Sequence, residues 1–440
     1  MNKIHHILFQ IKQVVFAPDT RNCPYCNSLS KRHSKANRVV IDIDLCVLVL
    51  LCCQVGVYKC TNNDCPSPHR FFRIELPFAP KGGKYTYRAM EKCIASVRED
   101  NMPFTTVPHR MQRDFNIKPS VSTVHRWYHQ QAEQLDLFYD YHQWVVDSFS
   151  GVLCIDEVYD NGIGVIVATD PLNQKTVAYS VEQQITEAEM TRFFNYLKQL
   201  GIEPEVITTD GSPLYPAVLS QVFSHSKQQL CLFHVMQNIN KDILKGVLAY
   251  RRSLPKPNKK KGRPRNGERL VYDITIDLFK RRYLFVTRPE HLNKEEILLL
   301  GDFMFEHQIL QLYRNFILDV FDMFDQQTTQ DAQHKKDELF KNPKYLQDQY
   351  INNALKRLQQ DKFEKMITFM EYENLNATNN DAERAARNFR RLQNSHYRLR
   401  QDYTIENMLK HELIRQKVNH NKTDQHLKLK DKLQPVPKAA

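Results

Sequence analysis

The segment spanning residues 151–240 constrains the fold more than any other part of this chain, because its hydrophobic period alternates between strand-like and helix-like in a set order. Residues 151–160 (GVLCIDEVYD) and 162–170 (GIGVIVATD) are apolar, β-branched runs joined by Asp160-Asn161-Gly162, a tight-turn signal, and together they predict a hairpin. A third run, 175–181, is followed by 187–200, where Met190, Phe193, Phe194, Leu197 and Leu200 return at helical spacing. Residues 205–210 predict a strand ending in Asp210. Gly211-Ser212-Pro213 stops that strand and starts a helix through Val222, and residues 229–233 and 234–248 supply a last strand and helix.

A meander of three strands followed by alternating helices and strands is the ribonuclease H-like arrangement. In it Asp156 falls in the middle of the first strand and Asp210 at the end of the fourth, and those strands are neighbours, so the two acids can share a divalent ion. Glu157 and Asp160 are rivals for the first position, and either acid taken alone reads equally well as a strand-surface acid or a helix cap. A third carboxylate comes from residues 378–384 (TNNDAER). An Asn cap and first-turn acids, followed by Ala385, Ala386 and Phe389, predict a helix carrying Glu383, with Asp381 as its nearest rival.

The Asp of CIDE, the Asp of TTDGSPLYP, the CLFH of residues 231–234 and the NNDAER around Glu383 carry a resemblance to insertion-sequence transposases of the DDE class, over roughly residues 20–415. The resemblance implies an α/β fold: a ribonuclease H-like mixed sheet with flanking helices and an inserted all-α domain, preceded by a small zinc ribbon and a helix-turn-helix. It implies DNA cleavage and strand transfer, with Asp156, Asp210 and Glu383 as catalytic residues and ligands of two Mg²⁺ (or Mn²⁺) ions. Arg384 and Arg387 would then hold flanking phosphates, an i,i+4 pair of Arg387 with Glu383 being the alternative. The partners implied are double-stranded DNA, both element ends and target, and further copies of the chain in a homodimer or larger oligomer. Cys231 and His234 read as a buried thiol and a helix-start imidazole that shape the centre, without a metal of their own.

Cys23-Pro24-Tyr25-Cys26 and Cys60-Thr61-Asn62-Asn63-Asp64-Cys65 form two pairs of metal-ligand type, and four thiolates can close a tetrahedral Zn²⁺ site. Strand-like runs at 38–43 and 45–58 lie between the pairs. The second pair has four intervening residues where a ribbon usually has two, so His69 competes with Cys65 as fourth ligand. Cys46, Cys52, Cys53, Cys93 and Cys154 read as small hydrophobes, and the ten cysteines as a whole do not form a disulfide framework, which points to a reduced, intracellular setting. The apolar start, 4–16, is interrupted by His5, His6, Gln10, Lys12 and Gln13, and the apolar run at 45–53 is too short to span a bilayer. A soluble, cytoplasmic protein is expected, nucleoid-associated in a bacterium.

Charge distribution supports a nucleic-acid partner better than the net +12 does. Residues 151–240 carry ten acids and four bases, leaving +18 on the remainder, so an acidic centre lies within a basic protein. Helical patterns at 87–99, 107–115 and 120–134 resemble a helix-turn-helix whose last helix packs with Val121, Val124 and Tyr128 and presents Ser122, Thr123 and Arg126 to DNA; a plain helical linker is the alternative. Between Asp210 and Glu383 lie far more residues than one closing helix needs. Residues 251–267 hold eight bases and no acid, and Lys259, Lys260, Lys261, Arg263 and Arg265 are candidates for a DNA-contacting arm, or else a solvated loop. Long helical patterns at 292–324 and 345–370 have apolar stripes that read as core. The expected domains are a ribbon at 19–80, a helix-turn-helix region at 81–140, a catalytic core at 141–248 with 373–415, a helical insertion at 249–372 and a disordered tail at 416–440.

Overall fold

The computed structural model describes residues 9–44, 47–67, 70–255, 274–396 and 398–432, with side chains as far as 422. Residues 1–141 with 388–440 form one compact unit, and 142–387 form another. Among the described residues no helix is long and apolar enough to cross a membrane.

The first unit opens with strands β1 (Phe9–Phe16), β2 (Thr20–Asn22), β3 (Leu29–Asp44), β4 (Val47–Lys59) and β5 (Phe71–Arg73), in the order β1-β4-β3-β2 with β5 also on β4. The run expected at 38–43 lies in β3, and the described part of the run at 45–58 lies in β4, which pairs antiparallel with β3. Along β4 every second residue, Val49, Leu51, Cys53 and Val55, is buried, packing with Leu76 and Ala79. β1 has no strand signal of its own, because polar residues interrupt it, and it is held by parallel pairing with β4. Helices α1 (Tyr87–Arg98), α2 (Val107–Phe115) and α3 (Val121–Gln134) follow where the sequence predicts them. Their limits have local causes. Thr86 Oγ1 accepts from Ala89 N, Ser120 Oγ accepts from Thr123 N, and Asn116 takes the left-handed conformation (φ 56°) that turns α2 into α3. Ile94, Val97, Met111, Val124, Trp127 and Tyr128 share one core. Val121 is not part of it: the stripe begins a turn later, at Val124, and Val121 is exposed.

The second unit begins with a short helix α4 (Gln143–Val146) and holds β6 (Val152–Asp160), β7 (Ile163–Asp170), β8 (Lys175–Glu182), α5 (Glu187–Gln199), β9 (Val206–Thr209), α6 (Tyr215–Val222), β10 (Lys227–Leu230) and α7 (Leu232–Ser253). The sheet order is β10-β9-β6-β7-β8, with β6, β7 and β8 antiparallel and β9 and β10 parallel to β6. Asn161 (φ 52°) and Gly162 (φ 82°) make the expected hairpin turn between β6 and β7.

Helices α8 (Ile274–Arg281), α9 (Lys294–Glu306), α10 (Gln308–Phe324), α11 (Thr329–Lys341), α12 (Pro343–Gln347), α13 (Gln349–Leu355) and α14 (Gln360–Met366) form the insertion. The two long patterns are broken into shorter helices. Asn342 caps α12 through Lys344 N, and Asp348 caps α13 through Tyr350 N and Ile351 N, so each starts afresh. The stripes are core, as expected: Phe316, Val320, Met323, Leu358 and Ile367 belong to a cluster that also takes in Leu230, Leu232, Ile239 and Ile243. The insertion therefore shares one apolar core with β10 and α7.

Helix α15 (Asn380–Ser395) starts in the second unit, and α16 (Asp402–Lys432) belongs to the first. Two features of the C-terminal part stand beside the expected domain limits. Residues from 388 onward group with the N-terminal unit, where Asn407 Nδ2 donates to His129 Nδ1 (3.0 Å) and His411 bonds Tyr128 O (3.0 Å). The tail expected from 416 is helical as far as 432, because its Lys, Gln and Leu are strong helix formers and the first proline comes only at Pro435.

Candidate active site

The three parallel strands carry the acids by register. Val152, Leu153 and Cys154 of β6 face Val206, Ile207 and Thr208 of β9, and carrying this register two residues further sets Asp156 level with Asp210. Neighbouring strands lie about 4.8 Å apart, so residues level on adjacent strands can turn their side chains to one face. On the other side of β9, Thr209 faces Leu230, which brings Cys231 level with Asp210. Glu157 points to the opposite face, beside the Tyr215 ring of α6. Burial, together with the charges of Asp210 and Asp156, raises its carboxyl to about 7, against a weaker lowering by Tyr215.

The chain returning from the insertion is stitched across these strand ends. Gln229 of β10 donates to Met366 O (3.0 Å) and accepts from Phe369 N (2.7 Å); Leu232 N donates to Ala377 O (2.9 Å). Asn379 N donates to Cys231 Sγ (3.2 Å), and its side-chain amide donates to Ile155 O of β6 (2.8 Å). Asn379 is thus a strap to the sheet. Four residues on, in the first turn of α15, Glu383 Oε1 lies 4.0 Å from His234 Nε2 on α7. Cys231, His234 and Glu383 have ligand atoms within 4.8 Å of one another. Hydrogen bonding to Cys231, opposed by burial and aided by the charges of Cys231, Asp210 and Glu383, raises the His234 pKa. Asp381 turns the other way: burial raises its carboxyl, Arg384 pairs with it at 2.9 Å, and Asp170 is its acidic neighbour. The Asp381–Arg384 pair replaces the alternative Glu383–Arg387 pair, which is absent among the described residues.

Carboxylate oxygens are the donors that Mg²⁺ takes, and Glu383 Oε1 and Asn379 Oδ1 are buried here without a hydrogen-bond partner. Those orphaned oxygens, beside two aligned acids, fit a hard cation.

The cysteines meet at one end of the β3/β4 strand pair. Lys31 of β3 faces Lys59 of β4, so the Cys23–Cys26 turn preceding β3 and Cys60 following β4 come together. Asn27 N donates to Cys23 O (2.9 Å), closing the turn, with Asn27 in the left-handed region. Cys23 Sγ is 3.8 Å from Cys65 Sγ and Cys26 Sγ 3.5 Å from Cys60 Sγ, and all four sulfurs lie within 4.8 Å. Sulfurs at ~2.3 Å from one zinc stand about 3.8 Å apart at tetrahedral vertices, so the set fits a single ion and includes Cys65. The rival ligand His69 lies outside the described residues. Cys93 and Cys154 are buried thiols whose pKa burial pushes up to about 12, as small hydrophobes should be.

Ser122 and Arg126 are exposed on α3, and Arg384 and Arg387 are exposed on α15. Lys259, Lys260, Lys261, Arg263 and Arg265 lie outside the described residues. Sequence reasoning missed the strap role of Asn379, and Asn379 was legible only as a cap. It also missed Tyr215, fully buried against Glu157, whose sole signal was its place in TTDGSPLYP.

No curated protein matches this chain at a significant level. A family profile described as transposase, of the DDE class and the ISL3 type, matches residues 153–401, more than half of the chain and the whole interval from β6 through Asp156, Asp210 and Glu383 to α15. The chain belongs to this ISL3-type family of DDE transposases.

Proposed function

We propose that this transposase cuts and joins DNA ends at the tips of β6 and β9, with Asp156, Asp210 and Glu383 as its catalytic acids. The observation that carries the reading is the register aligning Asp156 with Asp210, together with the strap that delivers Glu383 to the same strand ends from 173 residues downstream. Like charges repel, and folding alone gives no reason to gather three acids. Asp156, Asp210 and Glu383 would hold two divalent ions, Mg²⁺ or Mn²⁺. Bound there, the ions supply Lewis-acid stabilisation of the phosphoryl oxygens and an activated oxygen nucleophile for in-line displacement.

The protein's own part is positioning. Pairing of β6 with β9 sets the strand ends that carry Asp156 and Asp210, Asn379 ties the start of α15 to β6, and His234 lies 4.0 Å from the Glu383 carboxyl. Ser122 and Arg126 on α3 contact the element end, Arg384 and Arg387 the flanking phosphates, and the bases at 259–265 the DNA backbone, within a dimer or larger assembly. Cys23, Cys26, Cys60 and Cys65 hold one structural Zn²⁺, supported by their spacing. A strand-transfer assay with Mg²⁺ tests the reading: joining of a cut end to target DNA supports it, cutting without joining makes the protein a nuclease, and binding without either makes it a regulator.

A further inference from the structure

Beside Asp210 the second unit has a cleft of about 830 Å³, within the size range of ligand sites and far too small for a duplex. Asp210 and Ser212 line it, and part of its wall comes from α13, α14 and the turn between them. That wall carries Lys356, Lys362 and Lys365, and among the described residues none of the three has a carboxylate partner. The fourth cation, Arg357, is already committed to Asp242 at 2.6 Å, so it neutralises the one buried acid of the cleft. Asp361 has a separate reason to be there, since an acid in the first turn of α14 stabilises that helix. The floor is apolar, from Leu230, Val235 and Met366, and Asn238 and Asn353 add side-chain amides.

We propose that this cleft holds a single DNA strand leading to or from the scissile phosphate, with its phosphates on Lys356, Lys362 and Lys365 and its bases over the apolar floor. Each part of the lining has a match in a polynucleotide: ammonium groups for phosphate oxygens, apolar surface for base faces, amides for base edges. The strand passes Asp210, so the insertion continues the catalytic centre as a substrate channel. Its helices then have a purpose beyond filling the gap before Glu383. The proposal rests on Asp210 being catalytic.

The test compares the full-length protein with the Lys356→Gln/Lys362→Gln/Lys365→Gln variant and with the same positions changed to Arg. The probes are a fluorescein-labelled 30-nucleotide single strand of mixed sequence and a duplex of equal length, each titrated across a salt series. Three lost phosphate contacts should lower the slope of log affinity against log salt by about 2 for the single strand, and weaken binding about tenfold or more at moderate salt. The Arg variant should restore both. An unchanged slope overturns the proposal, as does a loss confined to the duplex, or a loss that Arg fails to rescue although the protein melts normally. Cleavage by the same preparations separates the two readings: a wild type that cuts DNA while the Gln variant binds normally refutes the cleft alone. A wild type that never cuts, yet shows the Lys-dependent slope, refutes the catalytic assignment and leaves the cleft a strand-binding site.

Discussion

The four cysteines and the three proposed catalytic acids are both drawn from residues distant in sequence, but their positions are set by different means. The cysteines meet because one antiparallel strand pair brings a turn and a strand end together. The acids are held by a packed sheet, by a shared apolar core and by hydrogen bonds from Gln229 and Asn379. A closed set of thiolates depends on its ion for cohesion, since metal binding and local folding are one equilibrium. The acidic centre is organised by the protein around it, and can lose a charge without losing its place. The comparison teaches that chemistry at the sheet and stability at the ribbon should respond separately to substitution.

The sharpest way to break that comparison is Asp156→Asn, which nearly conserves shape. Cleavage and joining should fall together to background, with the thermal midpoint within about 2 °C of wild type, because no packed apolar group is touched. A variant that unfolds would show that the acids organise the sheet. Next in size is zinc. Chelation, or Cys60→Ser, should destabilise the N-terminal unit by several kcal/mol, on the order of part of the binding energy of a structural zinc. Titrating released zinc with a chromogenic chelator should give one ion per chain, and a protein that melts identically with and without the chelator would remove the contrast.

Acid provides a third separation. His129, His396 and His411 are buried in the first unit, and burial depresses each to about 4. The unfolded chain binds these protons near the ordinary value of 6.5, whereas the folded unit refuses them until about pH 4. Stability from this source is therefore complete above pH 6.5 and is lost as pH falls toward 4, by on the order of 3 kcal/mol or more for the three together. The chain has two tryptophans, Trp127 in α3 and Trp144 in α4, so Trp144→Phe leaves a reporter of the first unit and Trp127→Phe one of the second. The Trp127 signal should change at higher pH than the Trp144 signal, and coincident transitions would contradict the assignment. The smallest effect is expected for Asn379→Ala. Loss of the bond to Ile155 O should cost about 1–3 kcal/mol, and joining should slow by roughly tenfold as Glu383 loses its fixed position. Full activity would mean that the strap is dispensable.

Much of this was legible in the sequence because it rests on local signals. The Asn161-Gly162 turn and the paired cysteines each announce themselves within a few residues. Asp156 and Asp210 follow from element order, since neighbouring parallel strands fix their level. What lay beyond reach depends on contacts across long separations. Periodicity shows that residues 345–370 are helical and buried on one side, but not that the chain turns at Asp348 or that Gln229 clasps its end. Lys356, Lys362 and Lys365 look like an ordinary solvated face until folding sets them in one cleft with Asp210. The helix over 402–432 could not be assigned to the first unit from its sequence, because the buried stripe of Ile405, Met408, Leu409 and Leu413 does not name its partner, and the bonds of Asn407 to His129 and His411 to Tyr128 span more than 270 residues.

The bonds that fix Glu383, from Ala377 to Leu232 and from Asn379 to Cys231 and Ile155, all lie after the insertion has ended. In evolutionary terms this separates two inheritances. Length can then vary within the insertion at little cost in loop-closure entropy, so long as its last helices keep their seat on Gln229 and on the core shared with β10 and α7. The bonds of Asn379 are the part on which the position of Glu383 depends directly.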